Sequence, residues 1–339
     1  MSAYPSTGLP RDRLGRPLRD LRVSVIETCN FRCPYCMPEG LTPEETALDR
    51  ARRLDFDEIE TAVRAFARLG VSKLRLTGGE PLLRKGLPEL VARLARIPGI
   101  DDLALTTNGS LLAGQARALR EAGLHRLTVS VDSLDPAGFS AMSGGRGDLG
   151  DVLAGLAAAE SAGFRSIKIN SVIQRGVNED QALALAGRFR GTPHVPRFIE
   201  YMDVGTCNGW RRENVVPSAE LRDRIAGRWP LRALTPTYRG EVASRYAYAD
   251  GQGEVGFVSS VSEPFCGDCH RARLSADGQL YTCLFAARGQ PLRERIAEGE
   301  DALAAHLSGL WRLRGDRYSE ERAKVPADRK KIEMFYIGG

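Results

Sequence analysis

Six of the seven cysteines in the 339-residue chain fall into two sets of three. Cys29, Cys33 and Cys36 lie in "ETCNFRCPYC" as C-x-x-x-C-x-x-C, and Cys266, Cys269 and Cys283 lie in "CGDCHRARLSADGQLYTC" as C-x-x-C-x13-C. An odd total and this clustering favour metal ligation in a reducing compartment over disulfides. Structural zinc takes four Cys or His ligands, often as two C-x-x-C pairs, and the first triad fits that poorly. A four-iron cluster takes one thiolate per iron, so three thiolates leave one iron open to a small molecule. Spacing therefore favours a cluster at the first triad. At the second, His270 follows Cys269 directly, and a Cys3His zinc site stays open as the alternative. Cys207, in "VGTCNGW", belongs to neither triad and reads as a free thiol.

A second set of chemical residues lies on strands, where side chains two apart share a face. Lys73 and Arg75 form one such pair, Thr106 and Asn108 another, then Thr128, Ser130 and Asp132, then Lys168 and Asn170. Positions between them are mostly apolar, as at Leu74, Leu76, Val129 and Val131. With helices outside, the apolar set faces the helices and the polar set lines the lumen. A lumen holding Arg22, Lys73, Arg75, Lys168 and Arg197 repels itself, and guanidinium and ammonium groups suit phosphates. A triphosphate would offset the repulsion.

The elements that must position these residues recur from Leu21 to Trp229. "LRVSVIET", "VSKLRLTGG", "DLALTTNG", "RLTVSVDS", "SIKINSVI" and "VPRFIEYM" read as strands, each followed by a segment of helical periodicity. Six β/α units imply parallel strands with helices on one side. The fold class expected is α/β: a partial (β/α)6 TIM-like barrel, with chemistry at the C-terminal strand ends. The domains expected are 13–229, the barrel, and 230–339, a smaller C-terminal iron–sulfur region capping the barrel mouth. In the latter, Asp277-Gly278 marks a hairpin and a helix is expected over about Pro291 to Leu313.

Hydrophobic residues make up 42% and charged residues 27%, with a net charge of +5. The arginines form no long block, which gives no footing for a nucleic-acid partner. No run nears the ~18 apolar residues of a membrane span, and "MSAYPSTGLPRDRLGRPLRD" lacks the apolar core of a secretory signal. A cytoplasmic location is expected.

The first loop, with Tyr35 before its last cysteine, resembles the cysteine motif of radical S-adenosyl-L-methionine (SAM) enzymes. "TGGEPLL" resembles their Gly-Gly-Glu-Pro motif at Gly78, Gly79, Glu80 and Pro81. With the second triad, "RFIEYMDVG" and the final "IGG", nearly the whole chain resembles the GTP 3′,8-cyclase family of molybdenum cofactor biosynthesis. The resemblance implies two [4Fe-4S] clusters, on Cys29, Cys33 and Cys36 and on Cys266, Cys269 and Cys283, with SAM on the open iron of the first. It implies SAM contacts at Tyr35, Gly79, Ser130 and Met202. GTP contacts are implied at Arg22, Arg75, Thr106, Lys168, Arg197, Arg271, Ala272 and Arg273. Around the reacting atoms it places Arg22, Lys73, Arg75, Gly338 and Gly339. Arg75 stands four residues before Gly79, the family spacing, and Lys73 shares its face.

The implied reaction begins with electron transfer to SAM, whose 5′-deoxyadenosyl radical takes hydrogen from C3′ of GTP. The C3′ radical attacks C8, giving (8S)-3′,8-cyclo-7,8-dihydroguanosine 5′-triphosphate, the first intermediate of molybdopterin synthesis. The implied partners are a reductant protein, cyclic pyranopterin monophosphate synthase as recipient of the product, and a second copy in a homodimer. Two rivals stand beside this reading. A peptide-modifying radical SAM enzyme would leave the cationic lumen unexplained, and GTP binding separates the two. A zinc protein that binds RNA would purify colourless rather than brown.

Overall fold

The computed structural model describes residues 8–37, 48, 51–324 and 331–338. Six strands carry the repeat: β1 (Asp20–Ser24), β2 (Lys73–Thr77), β3 (Asp102–Thr107), β4 (Arg126–Ser130), β5 (Lys168–Ile173) and β6 (Val195–Glu200). They pair in sequence order, all parallel. Each crossover carries one or two helices. Over Phe56–Arg68 a capping box fixes the start, with the Asp55 side chain accepting from the Glu58 amide, and Ile59, Ala62, Val63 and Phe66 are buried. Leu21, Leu74, Leu103 and Ile169 are fully buried under such helices, while Arg22, Arg75 and Lys168 are half-buried on the other face. This is the two-residue alternation of a strand with one greasy and one wet side.

The C-terminal region does more than cap. β7 (Leu231–Ala233), β8 (Ser244–Tyr248) and β9 (Glu254–Val258) follow β6, and β9 pairs with β6 in parallel. β10 (Arg271–Leu274), β11 (Gln279–Tyr281) and β12 (Gln290–Pro291) come next, and β10 pairs with β1 in parallel. The sheet order is β12-β11-β10-β1-β2-β3-β4-β5-β6-β9-β8-β7. Strands from the last third of the chain thus extend both edges of the six-strand array, giving an incomplete, barrel-like α/β sheet.

Register aligns the charges. Arg273, Arg22 and Arg75 are direct neighbours across β10, β1 and β2. Thr106, Thr128 and Lys168 are aligned across β3, β4 and β5. The helix expected over about Pro291 to Leu313 is two helices, Arg293–Ala297 and Glu300–Leu313, broken at Gly299. The apolar periodicity runs across the break because both pieces lie against the same core through Ile296, Leu303, Leu307 and Trp311.

Candidate functional site

The first triad sits on the loop that leaves β1. Cys33 begins a tight turn, its carbonyl accepting from the amides of Cys36 at 2.9 Å and Met37 at 3.0 Å. Arg32 ties the loop to itself, Nη1 donating to the carbonyls of Cys29 at 2.7 Å and Phe31 at 2.8 Å. The Tyr35 hydroxyl donates to Asp132 Oδ2 at 2.7 Å, and the Val172 amide donates to the other carboxylate oxygen at 2.8 Å. Tyr35 therefore anchors the cysteine loop across the mouth to the end of β4.

The loop after β2 presses directly on this one. A Cβ at Gly79 would stand 2.2 Å from the Thr28 carbonyl oxygen, so only glycine fits there. The Gly79 amide donates to Ile26 O at 2.7 Å, and the Glu80 amide to Thr28 O at 2.8 Å. The buried Glu80 carboxylate accepts from Thr107 Oγ1, the Asn108 amide and the Leu82 amide. Burial still pushes it up to about 7 against those bonds. Glu80 is thus fully engaged in holding its loop to β3.

Cys29, Cys33 and Cys36 line one cavity of about 220 Å³ with Tyr35, Gly79, Ser130 and Met202. Burial pushes the Cys29 thiol up to about 11 and raises Cys33 and Cys36 well above the ordinary thiol range. Among the described residues, no trio of Cys, His, Asp or Glu side chains is gathered tightly enough to chelate one ion. A four-iron cluster, with a separate iron for each thiolate, fits this donor set.

Below lies a larger cavity of about 560 Å³, lined by Lys73, Arg126, Lys168, Tyr238 and Arg245. Arg22, Arg75, Arg197 and Arg271 line both cavities. Arg75 Nη1 donates to Thr106 Oγ1 at 2.9 Å and Thr128 Oγ1 at 3.0 Å. Arg197 donates twice to Asn170 Oδ1. Lys73 Nζ stands 4.0 Å from the Tyr238 ring centroid. Burial and then the charge of Arg197 bring Lys168 down to about 7. Burial and Arg75 bring Arg197 down to about 9. Burial and then Arg273, Arg271 and Arg75 lower Arg22 well below its ordinary value. The cations thus disfavour one another in the lumen, and a bound polyanion reverses that.

Cys266, Cys269 and Cys283 line a third, smaller cavity next to the first, with Arg16, Arg271, Arg273 and Arg314. Burial raises Cys283 to about 12. It also pushes Cys269 up, but Arg271 and Arg314 outweigh it and bring that thiol down to about 6. His270 turns the other way, because neighbours on extended chain face opposite sides. It lines the lower lumen and an outer hollow instead, with Nδ1 3.6 Å from Asp20. The Cys3His zinc alternative therefore loses its fourth ligand.

Gly338 follows the short helix Met334–Ile337. The buried Arg273 donates Nη1 to its carbonyl, and a Cβ there would stand 2.2 Å from Thr77 Cγ2. Thr77 lines the first cavity, which puts the penultimate residue at the barrel mouth. Gly339 lies outside the described residues. Ala272 is fully buried in the core, between Arg271 and Arg273, which face the cavities. Cys207 is exposed.

The roles of four residues of the site escaped sequence reasoning. Asp132 was visible only as a lumen-facing carboxylate. Asn108, whose Nδ2 lies 3.9 Å from Cys29 Sγ, was visible only as a partner of Thr106. Arg16 and Arg314 left no local signal, because their cysteine neighbours lie far away in sequence.

Residues 23–188 match the model of the Radical SAM superfamily, and residues 195–320 that of Molybdenum Cofactor Synthesis C. The GTP 3′,8-cyclase of Xanthomonas campestris pv. campestris strain 8004 is 67% identical over 329 residues, covering 97% of each chain. That of Acidothermus cellulolyticus is 52% identical over 357 residues, covering 97% of this chain and 99% of the relative. Streptococcus suis SuiB bound to S-adenosylmethionine matches with a TM-score of 0.61 at 14% identity, over 94% of this chain and 76% of that one. The last likeness is one of fold.

Proposed function

This chain belongs to the GTP 3′,8-cyclase family of radical SAM enzymes, and from that premise we propose how its own residues serve the family's reaction. The reaction is the radical SAM cyclisation of GTP in molybdenum cofactor biosynthesis. SAM and a [4Fe-4S] cluster are its cofactors. When bound, they supply the radical that takes hydrogen from the substrate ribose, while the protein supplies position and charge.

The observation that carries the reading to this molecule is the run of cations directly beneath the first cysteine triad. Cys29, Cys33 and Cys36 would hold the SAM-binding cluster. Gly79 lets the loop after β2 close on it, and Tyr35, Ser130 and Met202 line the space left for SAM. Arg22, Lys73, Arg75, Lys168 and Arg197 would bind the triphosphate. The Arg22 and Lys168 side chains, with no hydrogen-bond partner among the described residues, are the donors most available to a phosphate. Thr106 acts through Arg75. Arg271 and Arg273 connect the substrate to the second triad, and Ala272 contributes backbone only.

Cys266, Cys269 and Cys283 would hold a second [4Fe-4S] cluster, which would offer an open iron to the guanine. Residues 13–229 and 230–339 then divide the work into SAM chemistry and substrate placement, although their strands share one sheet. Gly338 and Gly339 orient GTP at the mouth. A reductant protein supplies electrons, the synthase that makes cyclic pyranopterin monophosphate takes the product, and the chain works in the cytoplasm, as a homodimer. No helix among the described residues is long and apolar enough to cross a membrane.

The test is incubation of anaerobically reconstituted protein with SAM, a reductant and each nucleoside triphosphate in turn, with products identified by mass spectrometry. A cyclised product from GTP alone is expected. Formation of 5′-deoxyadenosine with no nucleotide consumed would overturn the substrate assignment.

A further inference from the structure

The second cysteine triad stands on a buried charged network that no step above uses. Asp12 and Arg16 come from the segment before β1, and Arg314 and Asp316 from the turn after the helix Glu300–Leu313. Side chains of Asp12, Arg16 and Arg314 are almost wholly buried, at 0%, 2% and 1% exposure. Arg16 Nε donates to Asp12 Oδ2 at 2.5 Å, and Arg314 Nη1 lies 3.4 Å from the same oxygen. Arg314 Nη2 stands 3.0 Å from Asp316 Oδ1. Trp311 backs the pair, donating to Arg16 O at 3.0 Å and carrying the Arg314 guanidinium 4.5 Å from its ring centroid.

Both guanidiniums turn their other edges to the cysteines. Arg16 Nη1 donates to Cys266 O at 2.7 Å. Arg314 Nη1 donates to Cys269 O at 2.6 Å, and Nη2 to Cys269 Sγ at 3.4 Å. Arg16 Nη2 is buried and has no hydrogen-bond partner among the described residues. A buried donor without an acceptor is costly, more so when charged. Both arginines line the cavity bounded by the three thiols, and Asp12 does not. Two guanidiniums and the Asp316 carboxylate thus face the cavity, and the Asp12 carboxylate lies behind them.

We propose that Arg16 and Arg314 set the reduction potential of the second cluster, donating to its sulfurs from a pinned, water-excluded position. The inference rests on the cluster assignment made under Proposed function. Hydrogen bonds to sulfur, net charge and burial govern the potentials of such clusters. A reduced cluster carries one more negative charge, so a nearby fixed cation favours it, and does so strongly in a low dielectric. The orphaned Nη2 of Arg16 gains its acceptor when the cluster is present. Both arginines are positioning residues: neither lines the space assigned to SAM or to the triphosphate.

The experiment uses the full chain with Cys29→Ser, Cys33→Ser and Cys36→Ser, so that only the second triad can carry a paramagnetic cluster. Iron and zinc are measured first. Zinc in place of iron in this parent overturns the cluster assignment, and the inference with it. With iron present, the midpoint potential is read by electron paramagnetic resonance during a redox titration. Arg16→Gln and Arg314→Gln should each lower the reduced-to-oxidised ratio at fixed potential about tenfold, a downward shift of about 59 mV for one electron. Asp316→Asn, which removes a negative charge lining the same cavity, should shift it upward. A structural clamp alone would leave the midpoint unmoved, so equal midpoints at equal iron content overturn the proposal. If both glutamine variants lose iron, Asp316→Asn decides: a higher midpoint supports the proposal and an unchanged one overturns it.

Discussion

Gly338→Ala tests whether the tail acts from the place it occupies. Gly338 has φ 71° and ψ 112°, a region that side chains other than glycine reach only at about 1–3 kcal/mol. The new methyl would also meet Thr77 Cγ2 at 2.2 Å. Thr77 cannot easily yield, being buried at the end of β2 with its carbonyl bonded to the Val25 amide at 2.9 Å. Strain and overlap together cost about 3 kcal/mol or more, which at about 1.4 kcal/mol per decade lowers the docked-to-undocked ratio of the tail at least a hundredfold. Cyclised GTP per 5′-deoxyadenosine should fall steeply, while iron content and SAM cleavage stay near the parent values. Thr77→Ser removes Cγ2 and so the worst overlap, but leaves the backbone strain. The double variant should therefore recover part of the loss, a coupling that a mutant cycle isolates. Chromatography of both products gives the ratio. An unchanged ratio in Gly338→Ala, or no recovery in the double variant, would refute the reasoning.

Anaerobically purified protein should contain about eight irons per chain if both triads hold four-iron clusters; half that value with zinc making up the rest would exclude the second. Cys29→Ser, Cys33→Ser or Cys36→Ser should abolish reductive SAM cleavage, whereas Cys266→Ser, Cys269→Ser or Cys283→Ser should leave 5′-deoxyadenosine formation without cyclised GTP. Arg22→Ala, Arg75→Ala and Arg197→Ala should weaken GTP binding by about one to two decades in calorimetry, since a charge-assisted hydrogen bond is worth roughly 1.5–3 kcal/mol; unchanged affinity in all three would remove the polyanion argument. Lys168, lowered to about 7 from an ordinary 10.5, binds fewer protons folded than unfolded between those values, so its contribution to free-protein stability rises with pH there. A phosphate partner raises it again, so GTP binding above pH 7 should take up a proton and weaken as pH rises. Calorimetry in buffers of different ionisation heat reads the uptake, and its absence in the parent chain counts against Lys168 as a phosphate ligand.

What the sequence disclosed has a common physical character: it was local. The Cys29–Cys36 loop and the Gly78–Pro81 turn are each contiguous, and the lumen face followed from a two-residue period. What stayed hidden depends on contacts between distant segments. Nothing near Arg271 says that its strand pairs with Asp20, and nothing near Arg314 points to Cys269 or Asp12. The expected helix over about Pro291 to Leu313 went wrong for the opposite reason, because one continuous apolar stripe serves two helices.

The order of strands in the sheet also sets an order in time. β1 and β6 end the array that the first two hundred residues can make, and each presents an unpaired row of amides and carbonyls. Their neighbours, β10 and β9, come from the last third of the chain. During synthesis the rim at β6 stays open until Val258 has left the ribosome and the rim at β1 until Leu274 has, and open rims are templates for pairing with another chain. Cys29, Cys33 and Cys36 emerge long before that, on a loop whose flanking strand still lacks one of its two neighbours. The half of the molecule that would handle the radical is thus the half that waits, and the late-arriving strands are what seal it.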